Sequence, residues 1–220
     1  MKNLFFLITT LITLSATAQR FPEVRYFNGA KAGVNFYNIK SDDVEFKSGT
    51  GFNVAFIRRL PLVEMLEANV YAEFQQSNLS TNAVDFLSSD SNPDEVDYQL
   101  LSGKIGAMLN FKAYGPYVSL LLGPVIQFNG ELKYDDEYEN HVVTSIEDGD
   151  DIAFVTVDDL SKISGFNFLL AGGISAGHMN YKAYAMYEYG INNVLSSVNT
   201  TSGTLTGHTA NLIVGAIIYF

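Results

Sequence analysis

TANLIVGAIIYF, residues Thr209–Phe220, is the stretch that decides the fold. Ala210, Leu212, Val214, Ala216, Ile218 and Phe220 form one unbroken apolar row. The alternate row, Asn211, Ile213, Gly215, Ile217 and Tyr219, is mixed and partly polar. A period of two is the signature of a strand, not of a helix. The length matches the roughly 9–11 residues a tilted strand needs to cross a bilayer. In hydrocarbon an unpaired backbone group costs several kcal/mol, so such a strand requires partners that close into a barrel. Working outward from it, the question is whether seven matching strands precede it.

The first eighteen residues stand apart from that search. Lys2 precedes an apolar run, Leu4–Leu14, and Ala16-Thr17-Ala18 has the small-residue pattern of a signal-peptidase site. Cleavage after Ala18 is expected, with residues 1–18 a signal peptide, 19–28 a polar lead-in on the periplasmic side and 29–220 the barrel. Eleven apolar residues fall well short of the roughly 20 a spanning helix needs. No later stretch is longer, because Val118–Ile126 is broken by Ser119, Gly123 and Pro124. An exported chain without a spanning helix is either a soluble β protein or a membrane barrel.

Composition narrows the chemistry. The 220 residues contain no cysteine, which excludes a disulfide scaffold and thiolate metal or redox sites. The formal net charge of −11 argues against nucleic acid, whose phosphates require clustered Lys and Arg.

Period-two segments recur along the chain. Ala30–Tyr37, Phe52–Ile57 and Leu66–Gln75 read as strands one to three, Gln99–Phe111 and Tyr117–Asn129 as four and five. Gly165–Gly177, Lys182–Tyr189 and the closing stretch complete eight. Pro124 cannot donate a ladder hydrogen bond, so a bulge is expected there. Between strands the polar runs 38–50, 76–97, 130–163 and 191–208 read as long loops. Arg58-Arg59-Leu60-Pro61, Lys112–Pro116 and His178-Met179-Asn180 read as short turns. Long and short connections alternate strictly, with cations at the short turns and acid in the long loops. This is the organisation of an all-β, eight-stranded antiparallel up-and-down transmembrane barrel with long extracellular loops and short periplasmic turns. Loop 130–163 holds eleven of the 24 acidic residues. Within it Val142–Ile146 and Ile152–Val157 read as a hairpin too short to cross a bilayer, and whether it adds strands to the barrel stays open.

Specific residues strengthen the assignment. Ala16-Thr17-Ala18-Gln19, Tyr117-Val118-Ser119-Leu120-Leu121-Leu122-Gly123-Pro124, and Tyr187-Glu188-Tyr189-Gly190-Ile191-Asn192-Asn193 resemble the small outer-membrane β-barrel family of diderm bacteria that includes the PorT-like proteins. The architecture is also similar to OmpA- and OmpX-type barrels, without a peptidoglycan-binding domain after the barrel. The resemblance implies location in the cell outer membrane and no assigned reaction. It also implies that the terminal Tyr219 and Phe220 serve as the signal read by barrel-assembly machinery.

Candidate chemistry lies on the inward row: Lys31, Glu67, Glu73, Lys104 and Glu188. Strand direction puts Glu73, Lys104 and Glu188 in the outer half, Lys31 and Glu67 in the periplasmic half. An eight-stranded lumen is only wide enough for side chains, so ion pairs that plug it are expected; a charged constriction in a narrow pore is the alternative. His141, His178 and His208 raise a lipid A-modifying enzyme, but triad chemistry needs a nucleophile and an orienting acid beside the histidine. His178 sits in a turn, His141 in an acidic loop, and His208 near Ser202, Thr204 and Thr206 with no acid in the same loop. No catalytic residue, metal ligand or cofactor is therefore assigned. Asp135-Asp136-Glu137 and Asp148-Gly149-Asp150-Asp151 offer oxygen ligands to a divalent ion but lack EF-hand spacing. The expected partners are outer-membrane lipid, barrel-assembly machinery, and an external protein or divalent ion at loop 130–163. The expected role is structural or binding, with an accessory barrel of a secretion system as a further alternative.

Aromatic residues frame the membrane band. Phe111, Tyr117, Tyr181 and Phe220 fall at periplasmic strand ends, Phe36, Phe52, Phe74, Phe128 and Tyr189 at outer ends, as two interfacial girdles.

Overall fold

The structure is a computed structural model describing residues 27–85, 93–139, 141–143, 147, 148, 151, 152, 155–178, 180–198 and 205–220. The expected signal peptide and most of the lead-in lie outside the described residues. Eight long strands run in sequence: β1 Phe27–Ser41, β2 Phe46–Val63, β3 Leu66–Asp85, β4 Asp94–Tyr114, β5 Val118–Asn129, β6 Phe166–Gly177, β7 Tyr181–Gly190 and β8 Gly207–Tyr219. Each pairs antiparallel with its sequence neighbours, and β8 pairs with β1 from Gly29↔Tyr219 to Ser41↔Gly207. The sheet is a closed ring without a free edge in the membrane, which is the only β solution lipid permits.

Hydrocarbon dictates the outer face. Val34, Phe56, Val70, Ile105, Leu109, Leu120, Leu122, Leu170, Ile174, Val214 and Ile218 are all exposed, Leu122 at 58 %. A soluble protein does not expose a contiguous apolar belt of this kind; the belt is the lipid-facing band of a membrane-spanning barrel. The girdle residues expected from the sequence are exposed at both ends of it, with Phe52–Phe74 and Phe128–Phe166 ring centroids 6.4 and 5.9 Å apart at the long-loop end.

Several boundaries differ from the sequence reading. β1 begins at Phe27, two residues inside the expected lead-in, with Phe27↔Arg59 and Asn28↔Arg58 paired. Arg58, Arg59 and Pro61 are not a connection but part of β2, and only Glu64 and Met65 turn. Pro61 still faces Glu67, and the irregularity falls just beyond it, between Pro61 and Val63. No bulge forms at Pro124. The β4–β5 register is the same on either side (Gly106↔Val125, Leu109↔Leu122), and only the intervening ladder pairs are missing. Gly123 beside it lets β5 approach β4, because a Cβ there would overlap the Ala107 carbonyl. Gly115 turns β4 into β5 at φ 50°, a left-handed conformation open to glycine.

The largest difference concerns the expected loops 38–50 and 76–97. β1 and β2 continue to Ser41 and from Phe46, β3 to Asp85 and β4 from Asp94, well beyond the outer girdle. These extensions carry an inverted pattern. Inside the barrel, Tyr37, Ile39, Phe46, Leu79, Val96, Tyr98 and Leu100 are buried, while Lys40, Lys47, Asn78, Glu95 and Asp97 face outward and are exposed. The barrel has left lipid for water, so the apolar row changes sides.

Loop 130–163 folds into that extension. Asp136–Tyr138 forms a 3-10 turn, His141–Val143 a short strand, and Val155–Thr156 another, leading into helix α1, Val157–Ser161. His141–Val143 pairs with β3 (Ala83↔Val143) and with the second short strand (Val143↔Val155). The described part of the expected hairpin thus extends the β3 edge above β2, and none of its described residues crosses the membrane. Val143, Val155, Val157, Leu160 and Ile163, with Val194, Leu195, Val198 and Leu205 of the last loop, pack on the inward residues of the extended strands as one apolar cluster. Burial at about 25 cal/mol per Å2 is what holds such a cap together.

Candidate functional site

The interior has three storeys. At the centre, β1, β3, β4 and β7 bring four ions together because their inward rows meet at one height. Lys31 Nζ donates to Glu73 Oε2 at 2.7 Å, Lys104 Nζ lies 3.8 Å from Glu73 Oε1, and Lys104 Nζ donates to Glu188 Oε2. All four residues are buried, Lys104 at 2 % and Glu188 at 0 % exposure. Two cations face two carboxylates, so the chain is charge-matched. Neutral groups complete it. Asn53 Nδ2 donates to Glu73 Oε2 at 3.1 Å, Asn211 Nδ2 to Glu188 Oε2 at 2.9 Å, and Lys104 Nζ to Gln75 Oε1 at 2.6 Å. The Tyr71 and Tyr184 rings stand 4.4 and 4.8 Å from Lys31 Nζ. Gly106 opposes Tyr71 across β3 and β4 and makes room for its ring, which a Cβ there would overlap.

Of the five residues expected to pair in the lumen, four are thus brought together. The register leads from Lys31 through Ala55 to Glu73, and the Lys31 ammonium meets that carboxylate rather than Glu67. Glu67 is separate, accepting from Lys112 Nζ at 2.9 Å at the short-turn end.

Above the ions sits the cap. Its helix is held by Thr156, whose Oγ1 accepts from Asp159 N at 3.1 Å and donates to Asp159 Oδ2 at 2.8 Å. The T-x-x-D spacing is a capping signal already present in the sequence, inside the segment whose alternation suggests a hairpin arm. Tyr134 OH donates to Asp158 Oδ1 at 3.1 Å, and Lys162 Nζ to Asp158 Oδ2 at 2.7 Å. Lys162 holds Asp158 below the usual carboxylate range. Burial first, then the Asp158 carboxylate, pushes the Tyr134 phenol up to about 12. Tyr134 stands edge-on to Tyr98 at 5.9 Å, and burial raises the Tyr98 phenol as well. The last loop is pinned by Asn192, which accepts from Phe168 N at 2.7 Å, and by Asn193, which accepts from Gly207 N at 2.8 Å.

Below the ions, at the short-turn end, the inward row carries Arg59, Glu67, Ser119, Lys182 and Tyr219, with Lys112 at the rim. Arg59 is sandwiched between the Phe27 and Tyr219 rings, each 4.3 Å away. Tyr219 OH accepts from Asn69 Nδ2 at 3.2 Å. Phe220 points the other way, 73 % exposed at the lipid boundary, its N–H donating to Asn28 O at 2.8 Å. The two terminal aromatic residues therefore serve opposite faces of the wall.

The histidines are dispersed. His178 lies 6.3 Å from the Tyr117 ring; His141 Nε2 is 3.7 Å from Asp94 Oδ2 and its ring is edge-on to Tyr138; His208 Nδ1 meets Gly190 O at 3.0 Å and its ring stacks on Tyr189. Ser202 and Thr204 lie outside the described residues. Among the described residues no three His, Asp or Glu side chains converge to hold a metal ion, and Gly149 and Asp150 of the acidic tract lie outside them.

No family model and no curated protein matches the sequence. Among solved structures the chain is similar to Ail, the attachment invasion locus protein of Yersinia pestis, at 18 % identity over 89 % of this chain and 99 % of that one, TM-score 0.47; that protein was crystallised with the heparin analogue sucrose octasulfate. It is similar to Neisserial surface protein A at 15 % identity over 88 % and 97 % of the chains, TM-score 0.47. Similarity to OprG of Pseudomonas aeruginosa is 8 % identity over 90 % and 97 %, TM-score 0.49. The likeness is one of general shape and extends to no residue role.

Proposed function

We propose that this protein is an integral outer-membrane barrel with a closed lumen, non-enzymatic, whose role is structural or binding through its folded, acidic outer cap. The observation that carries this reading is the stacking of two different seals in one lumen: the matched chain Lys31–Glu73–Lys104–Glu188 beneath an apolar plug centred on Val157 and Leu160. An open pore needs a continuous wet path, and among the described residues both storeys are buried and packed. The short apolar leader and closed lipid-facing band support the outer membrane as the compartment. In this reading Phe220 is the residue barrel-assembly machinery reads, and outer-membrane lipid covers the belt. Asp135, Asp136 and Glu137, all exposed on the cap, meet an external protein or a divalent ion. The PorT-like resemblance gives the second reading, in which that external partner belongs to a secretion system.

The test combines heat-modifiable migration of unboiled protein from the outer-membrane fraction with recording in planar bilayers. The expected result is a heat-shifted band and no steady conductance above the bilayer background. A stable open channel would overturn the closed-lumen reading, and a band that never shifts would overturn the barrel in that membrane.

A further inference from the structure

The long-loop rim carries a cavity that lies outside both seals. β1 pairs with β2 only as far as Tyr37↔Gly49, whereas it stays beside β8 up to Ser41↔Gly207. Around the β1–β2 turn above that fork is a cavity of about 380 Å3, within the size range of small-ligand sites. Its lining includes Lys40, Asp42, Glu45, Tyr189, Thr206 and His208. The turn that walls it is pinned from three directions. Val44 is buried in the apolar cluster of the cap. Ser41 Oγ accepts from Asp43 N at 3.1 Å and from Val44 N at 3.3 Å. Asp43 Oδ2 accepts from Thr206 N at 2.7 Å, which ties the turn to the last loop.

Height on the wall decides what can enter. Along the outward row Phe36 of the girdle faces Leu212, Asn38 faces Ala210 beside Tyr189, and Lys40 faces His208. Two residues advance about 7 Å along a strand, so Lys40 and His208 stand one step beyond Tyr189, where hydrocarbon gives way to headgroups. The His208 ring stacks on Tyr189 at 5.8 Å, and its Nδ1 donates to Gly190 O at 3.0 Å, since a carbonyl only accepts. Nε2 is left to take up a second proton and donate to an anion. Lys40 is exposed directly across the β1–β8 pair, and Asp42 and Glu45, also exposed, bring carboxylates to the same lining. A simple anion would meet those acids and a simple cation would meet Lys40; a group with both charges suits both sides. We infer that this cavity seats an aminophosphate group, supplied by a membrane lipid headgroup at this height, with its phosphate on Lys40 and His208 and its amine on Asp42 and Glu45. Charge-assisted hydrogen bonds of this kind are about twice as strong as neutral ones. Without such a group Lys40 faces water. That the cavity meets the outer leaflet rests on the outer-membrane reading; the match of charges does not.

The test places the full mature protein in phosphatidylcholine nanodiscs and replaces that lipid stepwise with phosphatidylethanolamine, whose amine can donate hydrogen bonds. Amide resonances of Ser41, Val44 and Thr206 should shift and saturate. Lys40→Gln with His208→Gln should weaken the response by about tenfold, and so should Asp42→Asn with Glu45→Gln. Shifts that grow in proportion to the lipid fraction, or that are unchanged in either double variant, would overturn the site. Phosphatidylglycerol keeps the phosphate and lacks the amine, so it should give no saturating response; an equal response would overturn the role of the acids. Soluble O-phosphoethanolamine, added to phosphatidylcholine nanodiscs, separates the sources. If phosphatidylethanolamine saturates the three resonances and then blocks the soluble compound, the occupant is a lipid headgroup. If only the soluble compound saturates them, the site stands and the lipid is overturned as its occupant; no response to either overturns the site. The heat-shifted band, read on the same samples, reports the barrel itself and tells loss of the site from failure of the barrel reading.

Discussion

Follow β3 from Leu66 to Asp85 and the same strand obeys two opposite rules. Through the membrane its inward row is Glu67, Asn69, Tyr71, Glu73 and Gln75, and its outward row Ala68, Val70, Ala72 and Phe74. Beyond Gln75 the inward row gains apolar Leu79 and Ala83 alongside Ser77 and Thr81, all buried, while Asn78 faces out and is exposed. β4 repeats the inversion in reverse, from buried Val96, Tyr98 and Leu100 to buried Lys104. The backbone ladder is continuous throughout, with Glu73↔Lys104 and Thr81↔Val96 in one register. What changes is the solvent outside. Hydrocarbon forces polar groups inward, where they must pair; water lets the polar row face out and rewards an apolar interior. A membrane barrel with an extended outer wall is thus two cores on one set of strands, one ionic and one apolar.

The comparison breaks first at the ionic core. Lys104→Met removes the cation that Glu73 and Glu188 share and leaves buried carboxylates behind, at a cost of about 3–5 kcal/mol. Urea unfolding in lipid vesicles should show the loss, and Lys104→Met combined with Glu188→Gln should recover part of it. An unchanged midpoint for the single variant would mean that the chain contributes nothing to stability.

The apolar core should fail differently. Leu160→Ala leaves a cavity in the cap and destabilises it by about 2–5 kcal/mol. Hydrogen exchange should accelerate in Leu132 and in His141–Val143, while the heat-shifted barrel band remains. Loss of the barrel along with the cap would show that the two cores are one cooperative unit.

The outer wall offers a matched pair. Leu122→Arg places a charge near the middle of the lipid band and costs about 2–4 kcal/mol. Lys40→Leu, on the outward row above the girdle, should stay within about 0.5 kcal/mol, because it only exchanges one water-facing side chain for another. Similar costs at both positions would erase the boundary between the two rules.

The smallest effect is alkaline. The Tyr134 phenol is raised from 10 to about 12, so its contribution to the cap is complete below pH 10 and is lost as the pH climbs through 12. A tyrosinate absorbance titration should lose a component near pH 12 in Tyr134→Phe while the other late phenols stay, with faster exchange in the cap of the wild type over the same range. Loosening of the cap at acid pH alone would contradict that sign.

The two cores were unequally legible in the sequence. In the membrane the outward row must be apolar over its whole length, so eight strands, their order and most of the inward ions could be read from alternation alone. Alternation puts Lys31 on the inward row, but only the register through Ala55 shows that its partner is Glu73. The extensions were read as loops because Asn38–Thr50 and Gln76–Asp97 lack an apolar outward row, although Ile39, Leu79 and Val96 keep the period of two on the inward one. The grouping of cations at the short-turn end stayed hidden for a related reason. Arg59, Lys112 and Lys182 are far apart in the chain and each was explained by a turn; only the register puts them in one storey. The cap needed long-range packing that no local pattern encodes, apart from the Thr156–Asp159 capping signal.

The boundary on β3 is the central claim, and a chain without cysteine permits a direct measurement of it. Single cysteines at outward positions 70, 74, 78 and 82, each carrying an environment-sensitive fluorophore, should report hydrocarbon at Val70 and Phe74 and water at Asn78 and Asn82 in folded, vesicle-inserted protein. Blue-shifted emission continuing through positions 78 and 82 would mean that the outer wall lies in lipid, and would contradict the account.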